Sequence, residues 1–158
     1  MKNTLALVLM VFGSFGAFAE DNFDSTEKGI KFIECEVIRG TVPAQVGGFS
    51  WTFIHFDKSK LAYLNENSLR KHSLDEIRNG EYNLEEYDLR IEPDKLFGYQ
   101  EEDPVITIDR ISLEQFYYVR YADKLKARIE SECKLISGDM MVDRTIEEYK
   151  KFKLMRKL

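Results

Sequence analysis

The chain has 158 residues, with 28 acidic against 23 basic side chains, a formal net charge of −5, and 13% aromatic content. That length suits one domain around one core. Its acidic balance argues against nucleic acid as a partner, because phosphate neutralisation needs a concentrated basic surface and the only basic cluster in the sequence is Lys150, Lys151, Lys153, Arg156 and Lys157 at its C-terminal end.

Residues 1–19 read as a bacterial secretory signal. Lys2 supplies a positive n-region, Leu5 to Phe12 is an unbroken apolar run, and Ala17-Phe18-Ala19 fits the A-x-A rule for cleavage before Glu20. A spanning helix needs about 20 apolar residues, and the polar stretch that opens at Glu20 comes too soon for one. The expectation is a cleaved signal and a periplasmic or secreted protein with no membrane span after cleavage. Cleavage removes Lys2 and no acid, so the net charge of −5 becomes −6. Residues 20–29, acidic and polar, read as a flexible lead-in, with order beginning near Ile30.

From Ile30 the chain alternates. Ile33, Cys35 and Val37 interleave with Glu34 and Glu36, the period-2 pattern of a half-buried strand that Gly40 closes. Thr41 to Gly48 reads as a loop. Phe49 to Phe56 is the strongest strand, with Trp51, Phe53 and His55 on one side and Thr52, Ile54 and Phe56 on the other. The polar turn Asp57-Lys58-Ser59-Lys60 leads into Leu61 to Leu64, a first hairpin. Asn79-Gly80, between Leu74–Arg78 and Glu81–Glu92, predicts a second hairpin through a type I′ turn. Leu96 to Tyr99, Val105 to Arg110, Gln115 to Tyr121 and Lys124 to Leu135 complete about eight strands spaced as in an antiparallel meander. No helix is evident before Gly138.

The tail changes period. Ile146, Tyr149, Phe152 and Met155 make an apolar stripe, Glu147 and Glu148 lie early, and Lys150, Lys151, Lys153, Arg156 and Lys157 crowd the end as the helix dipole favours. The pattern predicts a C-terminal helix over about 143–156. No repeat or linker divides the chain, so residues 30–158 form a single β-rich domain: mainly β, an antiparallel meander closing as a sandwich or a partly closed barrel.

Cys35 and Cys133 are the only cysteines. In an oxidising compartment they permit one connectivity, a bridge from the first strand to the last; no C-x-x-C or nearby histidine supports a reactive thiol or a metal pair. His55 and His72 are the only histidines. His55 and Asp57 share a strand face and form a candidate acid–imidazole pair, while His72 lies in a polar, exposed stretch. Glu101-Glu102-Asp103 lacks the spacing that wraps calcium and reads as a solvated loop. Asp109-Arg110 is a candidate ion pair at a sheet rim. Phe116 and Tyr118 face one side of their strand, and Tyr117 and Tyr121 the other, so aromatics appear on both faces of it. Trp51, His55, Asp57, Tyr117 and Tyr121 are therefore the candidate ligand or partner surface. No nucleophile elbow, P-loop, dinucleotide fingerprint or zincin motif is present, and neither a catalytic residue nor a cofactor is expected.

The stretches F-I-E-C-E (Phe32–Glu36), V-I-T-I-D-R (Val105–Arg110) and E-S-E-C-K (Glu130–Lys134) resemble small secreted bacterial β-domains in which two cysteines bracket a meander. The single-bridge, all-β plan is more loosely similar to periplasmic lysozyme inhibitors of the membrane-bound C-type class. The short loop through which those act has no counterpart located here, and no site residue is carried over. Three readings follow: a small binding or accessory protein of the bacterial envelope, with an envelope protein as partner; a carrier holding a small apolar ligand in a barrel interior lined by Trp51 and Phe53; and a hydrolase working through paired carboxylates.

Overall fold

A computed structural model describes Phe23 and residues 28–41, 46–121 and 124–155. The segment read as a secretory signal, residues 1–19, lies outside the described residues. Eight strands run in order: β1 (Ile30–Arg39), β2 (Phe49–His55), β3 (Lys60–Asn65), β4 (Glu85–Ile91), β5 (Lys95–Gln100), β6 (Asp103–Asp109), β7 (Gln115–Tyr121) and β8 (Lys124–Ile136). Each pairs antiparallel with the next, and β1 pairs with β8, so the meander is a fully closed barrel rather than a sandwich or a partly closed one. Cys35 lies directly opposite Cys133 in the β1–β8 register, and a disulfide joins them across the seam. Among the described residues no helix is long and apolar enough to cross a membrane.

Eight strands enclose a space just wide enough to be filled by side chains or to hold one small ligand. Here the middle is filled. Ile33, Ile54, Leu61, Leu96, Ile106 and Ile108 are fully buried inside it. Gly98 makes that packing possible, because a Cβ there would come within 3.3 Å of the Tyr87 and Ile106 Cβ atoms. Outward positions of β4 carry Glu86, Asp88 and Arg90 while Tyr87 and Leu89 face in.

A second core lies outside the barrel wall. Trp51, Phe53, Ala62 and Leu64 point outward and are covered by three helices: α1 (Glu66–Leu69), α2 (Leu74–Arg78) and α3 (Gly138–Met155), which contribute Leu69, Ile77, Met141 and Tyr149. Trp51 and Phe53 therefore do not line the barrel interior. Both faces of β2 are apolar because each faces a core. Glu34, outward on β1, is buried beneath α3, where its carboxylate accepts from Trp51 Nε1 at 3.3 Å and meets Lys134 Nζ at 3.0 Å and Arg144 Nε at 3.5 Å.

Three expectations are corrected. The C-terminal helix begins at Gly138, earlier than 143. Ser137 Oγ accepts the Met140 amide and caps the helix at its start. The hairpin over Asn79-Gly80 is absent, and Leu74–Arg78 is helical instead. Ser73 and Glu76 form a reciprocal capping box at its start. At its end Gly80 takes φ +69°, with Gly80 N–H to Ile77 O at 3.1 Å and Glu81 N–H to Glu76 O at 2.8 Å, a Schellman closure. Asn-Gly serves this helix end as well as it would serve a hairpin, since both need a residue at positive φ. Finally, Phe23, within the segment read as a flexible lead-in, is buried in the barrel core against Phe56.

Candidate functional site

The two ends of the barrel differ in chemistry. One is plugged. Phe23, Leu113 and Phe56 fill it, and Arg110, itself buried, crosses it to donate to the carbonyls of Glu92, Pro93 and Phe23. Asp109 does not pair with Arg110 as a rim salt bridge. Its Oδ1 accepts the amides of Ile111 at 2.9 Å and Ser112 at 2.8 Å, closing the β6–β7 turn. Those amides, the Ser112 one foremost, hold the Asp109 carboxyl below its ordinary range.

The other end is tyrosine-lined. Tyr63 from β3, Tyr87 from β4 and Tyr117 from β7 occupy inward positions in one cluster. The Tyr63 and Tyr117 rings stack at 4.8 Å with 12° between planes. The Tyr87 and Tyr117 hydroxyls lie 3.4 Å apart, and the Tyr87 hydroxyl donates to Glu85 Oε2 at 2.8 Å. Deeper, Thr52 donates to Gln115 Oε1 at 2.7 Å, which satisfies two buried polar groups. Tyr63 and Tyr87 are buried, Tyr117 is half-buried and Glu85 is exposed, so the cluster runs from the core to the rim. At the rim it offers the half-buried Tyr117 ring, the paired Tyr87 and Tyr117 hydroxyls and the Glu85 carboxylate. That set suits stacking on an apolar ring and hydrogen bonding to a polar head.

Burial pushes the Tyr63 hydroxyl up to about 12. Desolvation raises Tyr87 and Tyr117 as well, Tyr87 with added effect from Tyr117 and Glu85. An unfolded tyrosine titrates near 10, so above that pH the folded chain keeps protons that the unfolded chain has lost. Stability is full below about pH 10 and falls as pH climbs through the folded values, about 12 for Tyr63. Tyr63 alone then accounts for a loss on the order of 2 kcal/mol. Urea midpoints taken from pH 8 upward, alongside tyrosinate absorbance, should fall together in that window. A midpoint that stays level to about pH 12 would contradict the burial of these hydroxyls.

The candidate surface residues fall in different places. Tyr117 is in the cluster. Tyr121 is a β7 residue whose side chain lies outside the described set. Trp51 is under the helices. His55 is half-buried on the outer wall, with burial first and then Lys58 holding its imidazole below the usual range. Asp57 accepts the Gly29 amide at 2.8 Å and anchors the start of β1. His72 is half-buried rather than exposed. Its Nδ1 lies 2.9 Å from Ser68 O and its Nε2 accepts the Asn83 amide at 2.7 Å, so its ring ties α1 to the segment entering β4.

Glu36 and Glu132 face each other across the seam beside Cys133 and Lys134, where they line a surface depression of about 230 Å³. Both are exposed there, and among the described residues nothing encloses them as hydrolysis by paired carboxylates requires. Among the described residues no group of three or more His, Cys, Asp or Glu side chains can hold a metal ion. No family model, curated protein or solved structure matches the chain.

Tyr63, Tyr87 and Glu85 are absent from the sequence-derived candidates. Tyr63 closes the first hairpin, where it reads as an ordinary apolar strand position. Tyr87 and Glu85 sit in a strand whose start was misplaced by the hairpin expected at Asn79-Gly80. Only barrel closure brings them to Tyr117.

Proposed function

We propose that this chain is an exported binding protein of the bacterial envelope, an accessory rather than a catalyst, that takes a small and partly apolar ligand at the tyrosine end of its barrel. The observation that carries the reading is the asymmetry of the interior: one end is stoppered by Phe23 and Arg110, and the other gathers Tyr63, Tyr87 and Tyr117, with the Tyr87 hydroxyl bonded to Glu85 at the rim. The Cys35–Cys133 bridge supports an oxidising, non-cytoplasmic setting. Because Ile106, Ile108 and Leu61 fill the middle, the ligand sits at the rim and does not run the length of the barrel. Its body stacks on Tyr117, and its head offers a hydrogen-bond donor or a cation to Glu85.

Fluorescence titration with N-phenylnaphthylamine, an apolar ring system bearing one N–H donor, tests the reading. Saturable enhancement is expected with the native protein. Tyr117→Ala should weaken it about tenfold, the worth of one aromatic contact, and Glu85→Gln should weaken it less. No saturable signal, or a signal indifferent to Tyr117→Ala, would remove the site. Trp51 is no reporter of this event, since it lies outside the wall.

A further inference from the structure

The last turns of α3 carry features that neither the barrel's closure nor its tyrosine end uses. Leu154 and Met155 are 65% and 63% exposed, more than any other large apolar side chain among the described residues. Lys150, Lys151 and Lys153 surround them, all exposed, with Lys151 paired to Glu148 and Lys153 over the Tyr149 ring, on a protein whose net charge is −5. Arg156 and Lys157 follow in the sequence. The inward side of these turns is occupied: Tyr149 is buried, and the Phe152 ring lies 4.2 Å beneath the Arg70 guanidinium.

The helix is a ridge at this point. A groove of about 440 Å³, lined by Leu69, Phe152 and Met155 among others, runs along one flank. Another of about 350 Å³, lined by Leu74, Tyr149 and Leu154, runs along the other. We infer that this end of α3 docks the protein on an anionic phospholipid surface, with Leu154 and Met155 entering the headgroup region and the lysines meeting phosphates. A flat anionic surface suits a convex tip that has apolar side chains at its centre and cations around them. An acidic partner helix needs a continuous concave apolar seat, and here the ridge splits the apolar area in two.

The placement gives the contact a direction. α1 follows β3 without a break, and Glu66 on α1 accepts the amide of Phe49 at the start of β2. The α3 tip packed beside α1 therefore lies at the tyrosine end, and docking turns that end toward lipid. The inference stands on α3 and does not depend on the ligand reading.

Co-sedimentation of the protein, purified after export and processing, tests it with vesicles of phosphatidylcholine alone and of phosphatidylcholine with one quarter phosphatidylglycerol. Binding is expected only to the anionic vesicles, and it should weaken as salt shortens the Debye length. Leu154→Asp with Met155→Asp should abolish it. Lys150→Gln with Lys153→Gln should lower partitioning about tenfold or more. All four side chains are exposed, so both variants should melt as the native protein does. Absence of binding to anionic vesicles, or equal binding by both double variants, overturns the inference. So does binding to a glutamate-rich amphipathic peptide in place of vesicles, which would put a protein partner on this tip.

Discussion

Replacing Cys35 and Cys133 together by alanine lowers stability by about 4 kcal/mol while the barrel persists. The two residues are 98 positions apart. In the chain-entropy picture, closing a loop of that length in the unfolded chain is worth about 4.7 kcal/mol, and removal of native bridges commonly costs 2–5. The native side of the balance changes less, because the β1–β8 ladder that runs from Phe32 to Arg39 holds the seam through backbone pairs on both sides of the cysteines. The loss therefore sits mainly in the unfolded chain, which becomes freer without its tether. At a urea slope near 2 kcal/mol per molar, the midpoint should move down by about 2 M with unchanged far-UV dichroism. A midpoint that does not move, or dichroism that collapses in water, would each contradict a tether that acts on an otherwise self-sufficient seam.

Much of this architecture is legible in the sequence, and the misses have particular causes. Period-2 alternation locates the strands because each wall residue faces either in or out; Gln115–Tyr121 is read to the residue. Alternation says which residues share a face and not which face is inside. For Trp51 and Phe53 that ambiguity is complete, since β2 is apolar on both sides and α3 covers the outer one. Glu34 follows the same logic: its outward position is readable, but its burial depends on a helix that starts about a hundred residues later. The missed α2 was recoverable. Ser73 and Glu76 stand at capping-box spacing ahead of Ile77, and that pattern competes directly with the Asn-Gly turn signal. The tyrosine cluster is the least legible part, because β3, β4 and β7 become neighbours around a rim only when β1 meets β8.

Phe23→Ala lowers stability by about 3–5 kcal/mol, the usual cost of emptying a fully buried aromatic site, although the residue sits in a polar stretch that reads as unstructured. Its ring packs on Phe56 at 6.0 Å between centroids and seals the interior below Ile33 and Ile54. Its carbonyl is held by Arg110 Nη2, while Nη1 reaches Glu92 O at 2.9 Å and Pro93 O at 3.1 Å. One planar guanidinium thus gathers three carbonyls from two parts of the chain, which a lysine ammonium cannot do with the same geometry. Arg110→Lys should cost about 2–3 kcal/mol, from the lost fork that gathers the Phe23, Glu92 and Pro93 carbonyls. Plug and clamp act through one contact, so combining Phe23→Ala with Arg110→Lys should cost less than the two single changes added, by about 1 kcal/mol or more. Urea denaturation of the four proteins completes that cycle. Strict additivity would mean that Arg110 orders the β6–β7 end without holding Phe23. A Phe23→Ala cost under about 1 kcal/mol would mean that the barrel floor is closed by other side chains. In either case the contrast between a stoppered end and a tyrosine end, on which the binding reading stands, would lose its first half.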